Sequence, residues 1–557
     1  EYFKDNNLYI TSSNNFNKIP GKPLAYWVSK NIIECFKNEY IYQYAKPCKG
    51  IDTGNNDLFL RMWYEISNQD RFIPNIVASH NLDFSNYKWL PYNKGGTFRK
   101  WYGNNDYVIN WENNGLELRS YKKSNLRNKD KYFKKGITWS TVASGSSSFR
   151  FFSEGFLFDN GGSCLFSEKL NLMYIQGFLN SKVATLFLNV QPTLNTQPGT
   201  IGNLPLYVKL NYIDDVAFIV EKCISLSKSD WDSFETSWDF EIHPLIKNHT
   251  NAIKDAFDLW NKECNDRFNT LKSNEEELNK IFIDIYGLQD ELTPDVEDKD
   301  VTVRKADELR DVKSFISYAV GCMFGRYSLD KDGLAYAGGE FNMDDYHAFK
   351  PDVDNIIPIS EVGYFEDDIT ARFIKFVSKV FGEDSLQGNL AYIAKVLGGK
   401  GTPEEVIRNY FINEFYKDHV KMYQKRPIYW LFDSGKNNGF KALIYMHRYN
   451  PDTVSNVRTE YLHKFQNTYE VLIKDNEYIM DHSDNKAEAT KARKHKENLE
   501  KKLAETRIYD QALAHIANKR IDIDLDDGVK VNYEKFQDVE VINEGSKTIK
   551  VNLLGKI

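Results

Sequence analysis

Few residues of this 557-residue chain are spaced for chemistry, and the missing patterns are as informative as the candidates. Methyl transfer to a base amino group needs a polar residue followed by Pro-Pro and an aromatic. The polar side chain and a backbone carbonyl hold the amine while the ring stacks on the extruded base. No two of the 15 prolines are adjacent, so that loop is not in this sequence. A GxGxxG turn and a GxxxxGK[ST] phosphate loop are missing as well. Glu297-Asp298-Lys299, with Asp295 upstream, supplies half of a metal-nuclease Asp…Glu-x-Lys pattern. Its carboxylates are too close in sequence for a strand pair to spread them. His482-Ser483-Asp484 are neighbours in sequence, whereas a triad is a spatial arrangement. His447 sits among aromatic and apolar residues and reads as structural. None of the ten His belongs to an HExxH. The six cysteines (Cys35, Cys48, Cys164, Cys223, Cys264, Cys322) show neither a CxxC pair nor a zinc spacing. They read as reduced core thiols of a cytoplasmic protein. No catalytic, metal or cofactor residue is expected.

The remaining chemistry is electrostatic. From Lys88 to Arg150 thirteen Lys or Arg stand against four acids (Asp106, Glu112, Glu117, Asp130), a net of +9. The whole chain nets −7, so the remainder nets −16. A basic island interleaved with Trp and Tyr on an acidic protein is a footprint for a polyanion. Lys122, Lys123, Arg127, Lys129, Lys131, Lys134 and Lys135 form its densest run. Such a run alone can be a solvated loop; three neighbouring features argue for duplex DNA. Gly95-Gly96 lets backbone approach a phosphate. Arg99-Lys100-Trp101-Tyr102 sets cations beside rings. Ser144-Gly145-Ser146-Ser147-Ser148 is a polar tip for phosphates or base edges. The expected DNA contacts are therefore Lys94, Arg99, Lys100, Trp101, Tyr102, the seven cations of the 122–135 run, Ser146 and Arg150.

Other elements must position this island. Hydrophobic content of 41% supplies cores for three or four domains at about 150 residues each. No apolar run nears the ~20 residues of a membrane span. The sequence opens Glu1-Tyr2-Phe3 without Met, and a piece of a longer protein is expected. A turn at Ile19-Pro20-Gly21-Lys22-Pro23 precedes a helical stripe of Ala25, Trp27, Val28, Ile32, Ile33 and Phe36. Asp52-Thr53-Gly54 reads as a turn. Residues 76–206 read as β-rich: Tyr107 to Trp111 followed by Asn113-Asn114-Gly115 predicts a strand and a hairpin turn. Residues 170–190 then predict one helix. Residues 207–310 have apolar positions at helical spacing, with Ser273-Asn274-Glu275-Glu276-Glu277 as the start of one helix. An acidic linker at 290–300 leads to an α-rich region, 301–475, punctuated by Gly338-Gly339 and Gly398-Gly399. A charged helix within 476–515 and a strand-containing tail come last. The expected fold class is α+β: a β-rich lobe, a long helical spacer and a mostly α-helical C-terminal domain.

Several long blocks are also familiar. FNKIPGKPLAYWVS, KGGTFRKWYGNNDYVINW, ITWSTVASGSSSFRFFSEGFLFDNGGS and GFLNSKVATLFLNVQPTLNTQPGTIGNLP resemble the region after the catalytic domain in the PglX-type methyltransferases of BREX phage-defence systems. More distantly they are similar to single-chain restriction-modification enzymes. NEEELNKIFIDIYGLQDELTP, GCMFGRYSLDKDGLAYAGG and KRPIYWLFDSGKNNGFKALIYMHRYNPDTVSNVRTEYL resemble the downstream part of the same family, so the likeness covers nearly the whole chain. The motifs of the family's catalytic domain have no counterpart here. The resemblance implies the C-terminal part of an adenine-specific DNA methyltransferase. Double-stranded DNA would be its partner and S-adenosylmethionine the cofactor of the parent protein, with no cofactor in this chain. On that reading residues 1–75 are a connector after the methyltransferase domain and 76–206 the target-recognition domain. Residues 207–300 are a helical spacer, 301–475 an α-rich C-terminal domain and 476–557 a charged helical arm and tail. Other BREX proteins, or a phage inhibitor that mimics DNA, are further expected partners. Two alternatives stay open: a protein-interaction platform for such partners, and a fragment of a restriction-modification enzyme.

Overall fold

The computed structural model describes residues 19–23, 26–71, 84–142, 145–191, 195–361, 363, 365–542 and 548–557. Ala25, Ser144 and residues 76–83 of the sequence reading lie outside them. About half of the chain is helix and 12% strand, in several small sheets, which makes it the expected α+β chain. Two compact units form: residues 1–63, 70–239 and 261–306, and residues 64–69, 240–260 and 307–557.

In the first unit, Trp89–Asn93 is flanked by Tyr107–Asn110, antiparallel, and Leu157–Phe158, parallel, with Leu60–Met62 beyond Tyr107–Asn110. All five residues of Trp89–Asn93 are buried, so this strand reads as a continuous run and not as an alternation. A second four-stranded sheet runs Ala45–Cys48, Cys164–Ser167, Gly136–Thr138, Arg150–Phe152, antiparallel throughout. All six cysteines are buried free thiols, as their spacing predicts. A core of this unit gathers Trp101, Trp139 and Phe149 with Phe178, Phe187, Phe282 and Tyr286.

Three local expectations meet a different structure here. Asn113, Asn114 and Gly115 take the left-handed φ of 51°, 58° and 71° that their types favour, but no hairpin forms there. The turn opens a helical segment, Glu112–Ser120, and Tyr107–Asn110 pairs with strands earlier in the chain. The helix expected over 170–190 is two, Leu172–Leu179 and Lys182–Val190. The break frees Asn180 to bond both backbone groups of Phe149, accepting from its N–H at 3.0 Å and donating to its carbonyl at 2.9 Å. Ser181 then caps the second helix. Ser273-Asn274-Glu275 starts nothing: it lies inside the 34-residue helix Ile253–Tyr286. A cap-like sequence stays helical when one of its members has a buried partner, and Glu275 has two.

The second unit centres on the helix Glu308–Phe324, with the helices Ile369–Phe381, Leu386–Leu397 and Pro403–Asn413. It also holds the sheet Ile357–Pro358, Lys441–Tyr445, Tyr429–Asp433. The charged stretch is the 34-residue helix Lys486–Lys519, packed on His463–His482 through Leu499, Leu503, Tyr509 and Leu513. Val539–Ile542 and Thr548–Val551 form the terminal strand pair.

Two histidines of this unit are sealed. His243 accepts from Leu245 N–H at 3.2 Å, and His419 Nε2 accepts from the N–H of Ile428 and of Tyr429 at 3.2 and 3.0 Å. Burial pushes both down to about 3. The unfolded chain therefore binds protons below the ordinary histidine range of about 6.5 that the folded chain refuses. Stability should be fully present above pH 6.5 and fall toward pH 3, each histidine adding up to ~1.4 kcal/mol per pH unit. Denaturant melts between pH 7 and 4 check this: His243→Gln should flatten the slope, and an unchanged slope would show that this histidine is not sealed.

Candidate nucleic-acid interface

The segment Arg99-Lys100-Trp101-Tyr102 turns inward. Arg99 donates to Asp230 Oδ2 at 2.6 Å and to the carbonyls of Tyr102 and Ser227, and its guanidinium lies 5.0 Å from the Trp231 ring. Lys100 is ion-paired with Glu275, and Trp101 Nε1 donates to the other oxygen of the same carboxylate at 2.7 Å. Lys228 sits 5.1 Å over the Tyr102 ring and binds Asp232 and Asp239. Asp230 also accepts from Arg304 N–H, with the guanidinium groups of Arg267 and Arg304 each 3.9 Å away. At Gly103 (φ 120°) a Cβ would lie 2.5 Å from Arg99 Nε and 2.9 Å from Trp231, so only glycine turns the chain there.

Arg99, Lys100, Trp101 and Arg150 are buried. The surface role expected of them is corrected: Arg99, Lys100 and Trp101 bond partners inside the protein, and Arg150 is buried with its Nε unpartnered among the described residues. Arg150, at 1% exposure, reaches Arg99 O and Ser148 Oγ at 3.4 and 3.5 Å. Burial lowers it to about 10 and pushes nearby Asp106 up to about 6, against the pull of Arg150 and Arg99. Tyr102, half-buried under Lys228, is likewise a packing residue. Lys94 is half-buried over Tyr107, 4.6 Å from the ring centre.

The 122–135 run stays outside. Lys122, Lys123, Lys129 and Lys135 are exposed and form no ion pair among the described residues. Arg127 is half-buried and donates to Asn160 Oδ1 at 3.1 Å. Lys131 and Lys134 approach Glu168 at 3.6 and 3.5 Å, which partly neutralises them. The run is fixed at its start, where Asn125–Leu126 pairs with Ile51–Asp52, and by Asn128, which donates to Lys49 O at 2.8 Å. Asp52 Oδ1 accepts from Gly54 N–H, the turn expected there.

The exposed Ser146 lines a separate cavity of about 470 Å³. Two loops wall it. Ser140 Oγ accepts from Gly96 N–H at 3.0 Å and donates to Gly96 O at 2.9 Å, and Asn104 donates to Thr97 O. Glycine at position 96 (φ 146°) leaves room for Asn104, whose amide a Cβ there would meet at 2.6 Å. Ser147 Oγ bonds Thr196 Oγ1 at 2.6 Å, and Ser148 Oγ accepts from Arg99 N–H. Phe98 and Val142, 43% and 71% exposed, share the lining. Sequence reasoning missed both, and also Asp230 and Glu275; the apolar Phe98 beside the basic tetrapeptide was a signal, the distant acids gave none.

The other candidates of the sequence have partners of their own. Glu297 pairs with Lys299 on the surface, and no group of three or more His, Cys, Asp or Glu among the described residues is placed to hold a metal. Ser483 donates to Glu488, and His482 Nδ1 bonds Tyr478 O, so they form no triad. No described helix is long and apolar enough to cross a membrane.

Over nearly all of its length the chain is homologous to adenine-specific methyltransferases. It is 44% identical over 552 residues, 96% of the chain, to adenine-specific methyltransferase PglX of Lacticaseibacillus casei (strain Zhang), and covers 46% of that protein. To adenine-specific methyltransferase BrxX of Escherichia coli O9:H4 (strain HS) it is 40% identical over 563 residues, covering 45% of it. The chain thus spans about half the length of these curated relatives. No family model matches it.

The interior charges set a direct test. Asp230→Asn leaves Arg99 buried without a carboxylate and should cost roughly 3–5 kcal/mol of stability. Lys122→Glu, on the surface, should shift the melt by less than about 0.5 kcal/mol. Equal effects in thermal melts of the two variants would refute the inside–outside division.

Proposed function

We propose that residues 76–206 are the DNA-sequence recognition region of an adenine-specific, S-adenosylmethionine-dependent DNA methyltransferase of a bacterial BREX phage-defence system. Residues 207–300 serve as its helical spacer, 301–475 as its C-terminal domain and 476–557 as its charged arm and tail. The observation that carries this reading is the set of exposed cations at Lys122, Lys123, Lys129 and Lys135, with Arg127 beside them, on a chain homologous to two adenine-specific methyltransferases. Lysines without carboxylate partners on an acidic protein keep their charge available for phosphates, and each phosphate neutralised releases counterions. These contacts set affinity and register; sequence is read by other side chains. Flipping of the adenine, cofactor binding and methyl transfer belong to the portion of the relatives that this chain does not span. The missing Pro-Pro loop supports that division of labour.

Titrating the chain with duplex DNA at rising salt tests the footprint. Reversing Lys122, Lys123, Arg127 and Lys129 to Glu should weaken binding on every sequence alike. It should also flatten the log–log salt slope by roughly 0.9 for each phosphate left unneutralised. Unchanged affinity and slope would place the DNA elsewhere.

A further inference from the structure

The cavity at Ser146 combines features that a phosphate site lacks. Of its hydroxyls, those of Ser140, Ser147 and Ser148 are bonded within the walls, whereas Thr97 and Ser146 are exposed and make no side-chain hydrogen bond among the described residues. The cation among its described lining residues, Lys299, is paired with Glu297 at 2.7 Å, and Asp300 stands beside it. Net attraction for a phosphate is therefore absent. What remains is a concave, walled space that offers two free hydroxyls and two exposed apolar side chains, Phe98 and Val142.

Large apolar groups held in the open beside polar groups mark a surface built for contact. In the major groove the one apolar group on a base edge is the thymine 5-methyl, which aromatic and aliphatic side chains touch, while Ser and Thr hydroxyls serve either donor or acceptor edges. We infer that this cavity is the sequence-reading point of the chain, and that it takes a base edge carrying a 5-methyl group, packed by Phe98 and Val142 and hydrogen-bonded by Thr97 and Ser146. The inference rests on the DNA-interface reading and adds which residues choose the sequence. Ser140 and Asn104 hold the loop that bears Phe98, and Val142 itself is bridged to Asn195.

Selection of the full 557-residue chain on a randomised duplex pool, with each thymine of the selected site then replaced by uracil, tests this. One position should lose about four-fold in affinity on loss of its methyl group, the weight of one buried carbon. Phe98→Ala should abolish that uracil effect. Val142→Ala, at a residue 71% exposed, carries the same test should Phe98→Ala fail to fold. Salt-dependent binding with no uracil-sensitive position, or a uracil effect that survives the apolar substitutions, overturns the pocket and leaves the cationic footprint standing. Absence of duplex binding by the unaltered chain overturns both.

Discussion

Two buried carboxylates, Asp230 and Glu275, hold consecutive residues of one loop. Taking such charges out of water is costly unless each is paired and its remaining lone pairs are filled. Asp230 meets that demand with Arg99, with a backbone N–H of Arg304 and with the nearby Arg267; Glu275 meets it with Lys100 and the Trp101 indole. Removing Asp230 or Glu275 leaves Arg99 or Lys100 without its carboxylate in the interior, so the arrangement has few alternatives. The helices Ile213–Asp232 and Ile253–Tyr286, which bear the two acids, are thereby locked to the loop between Trp89–Asn93 and Tyr107–Asn110.

The same lock divides the basic island by depth. Arg99, Lys100 and Arg150 count toward the formal +9, but all three are inside, and Arg99 and Lys100 are ion-paired with Asp230 and Glu275. Glu168 offsets part of Lys131 and Lys134. The outward field comes mainly from Lys122, Lys123, Arg127, Lys129 and Lys135. Salt screens exposed charges far more than buried ones. Rising ionic strength should therefore screen the exposed lysines without loosening the loop that Asp230 and Glu275 hold.

Composition and period made the α+β class legible, because long amphipathic stretches and short β-branched or aromatic runs bury different faces. Basic charge density was legible too, since it needs only counting. Depth was not. Arg99 and Lys123 look alike in sequence, and what separates them is an acid 131 residues away at Asp230. The helix break at Asn180 was hidden for the same reason: its partner is Phe149, in another element. Asn113-Asn114-Gly115 shows the converse case. The local backbone is the left-handed one its residues favour, yet the next element is helical, because turn chemistry fixes the bend while long-range pairing decides the element beyond it.

Anchor and candidate reading point are adjacent in sequence, and this is the strongest reason for taking them together. Phe98 precedes Arg99 directly; one points out at 43% exposure and the other is buried at 6%. Ser148 joins them, accepting from Arg99 N–H while lining the cavity beside Phe98. An exposed phenyl on a loose loop would lose side-chain and backbone entropy on every contact it made. Held one residue from the anchored Arg99, its backbone has already been ordered on folding. On the proposed reading, the buried charges would do for recognition what the exposed ones cannot: they would set where the uncharged side chains stand.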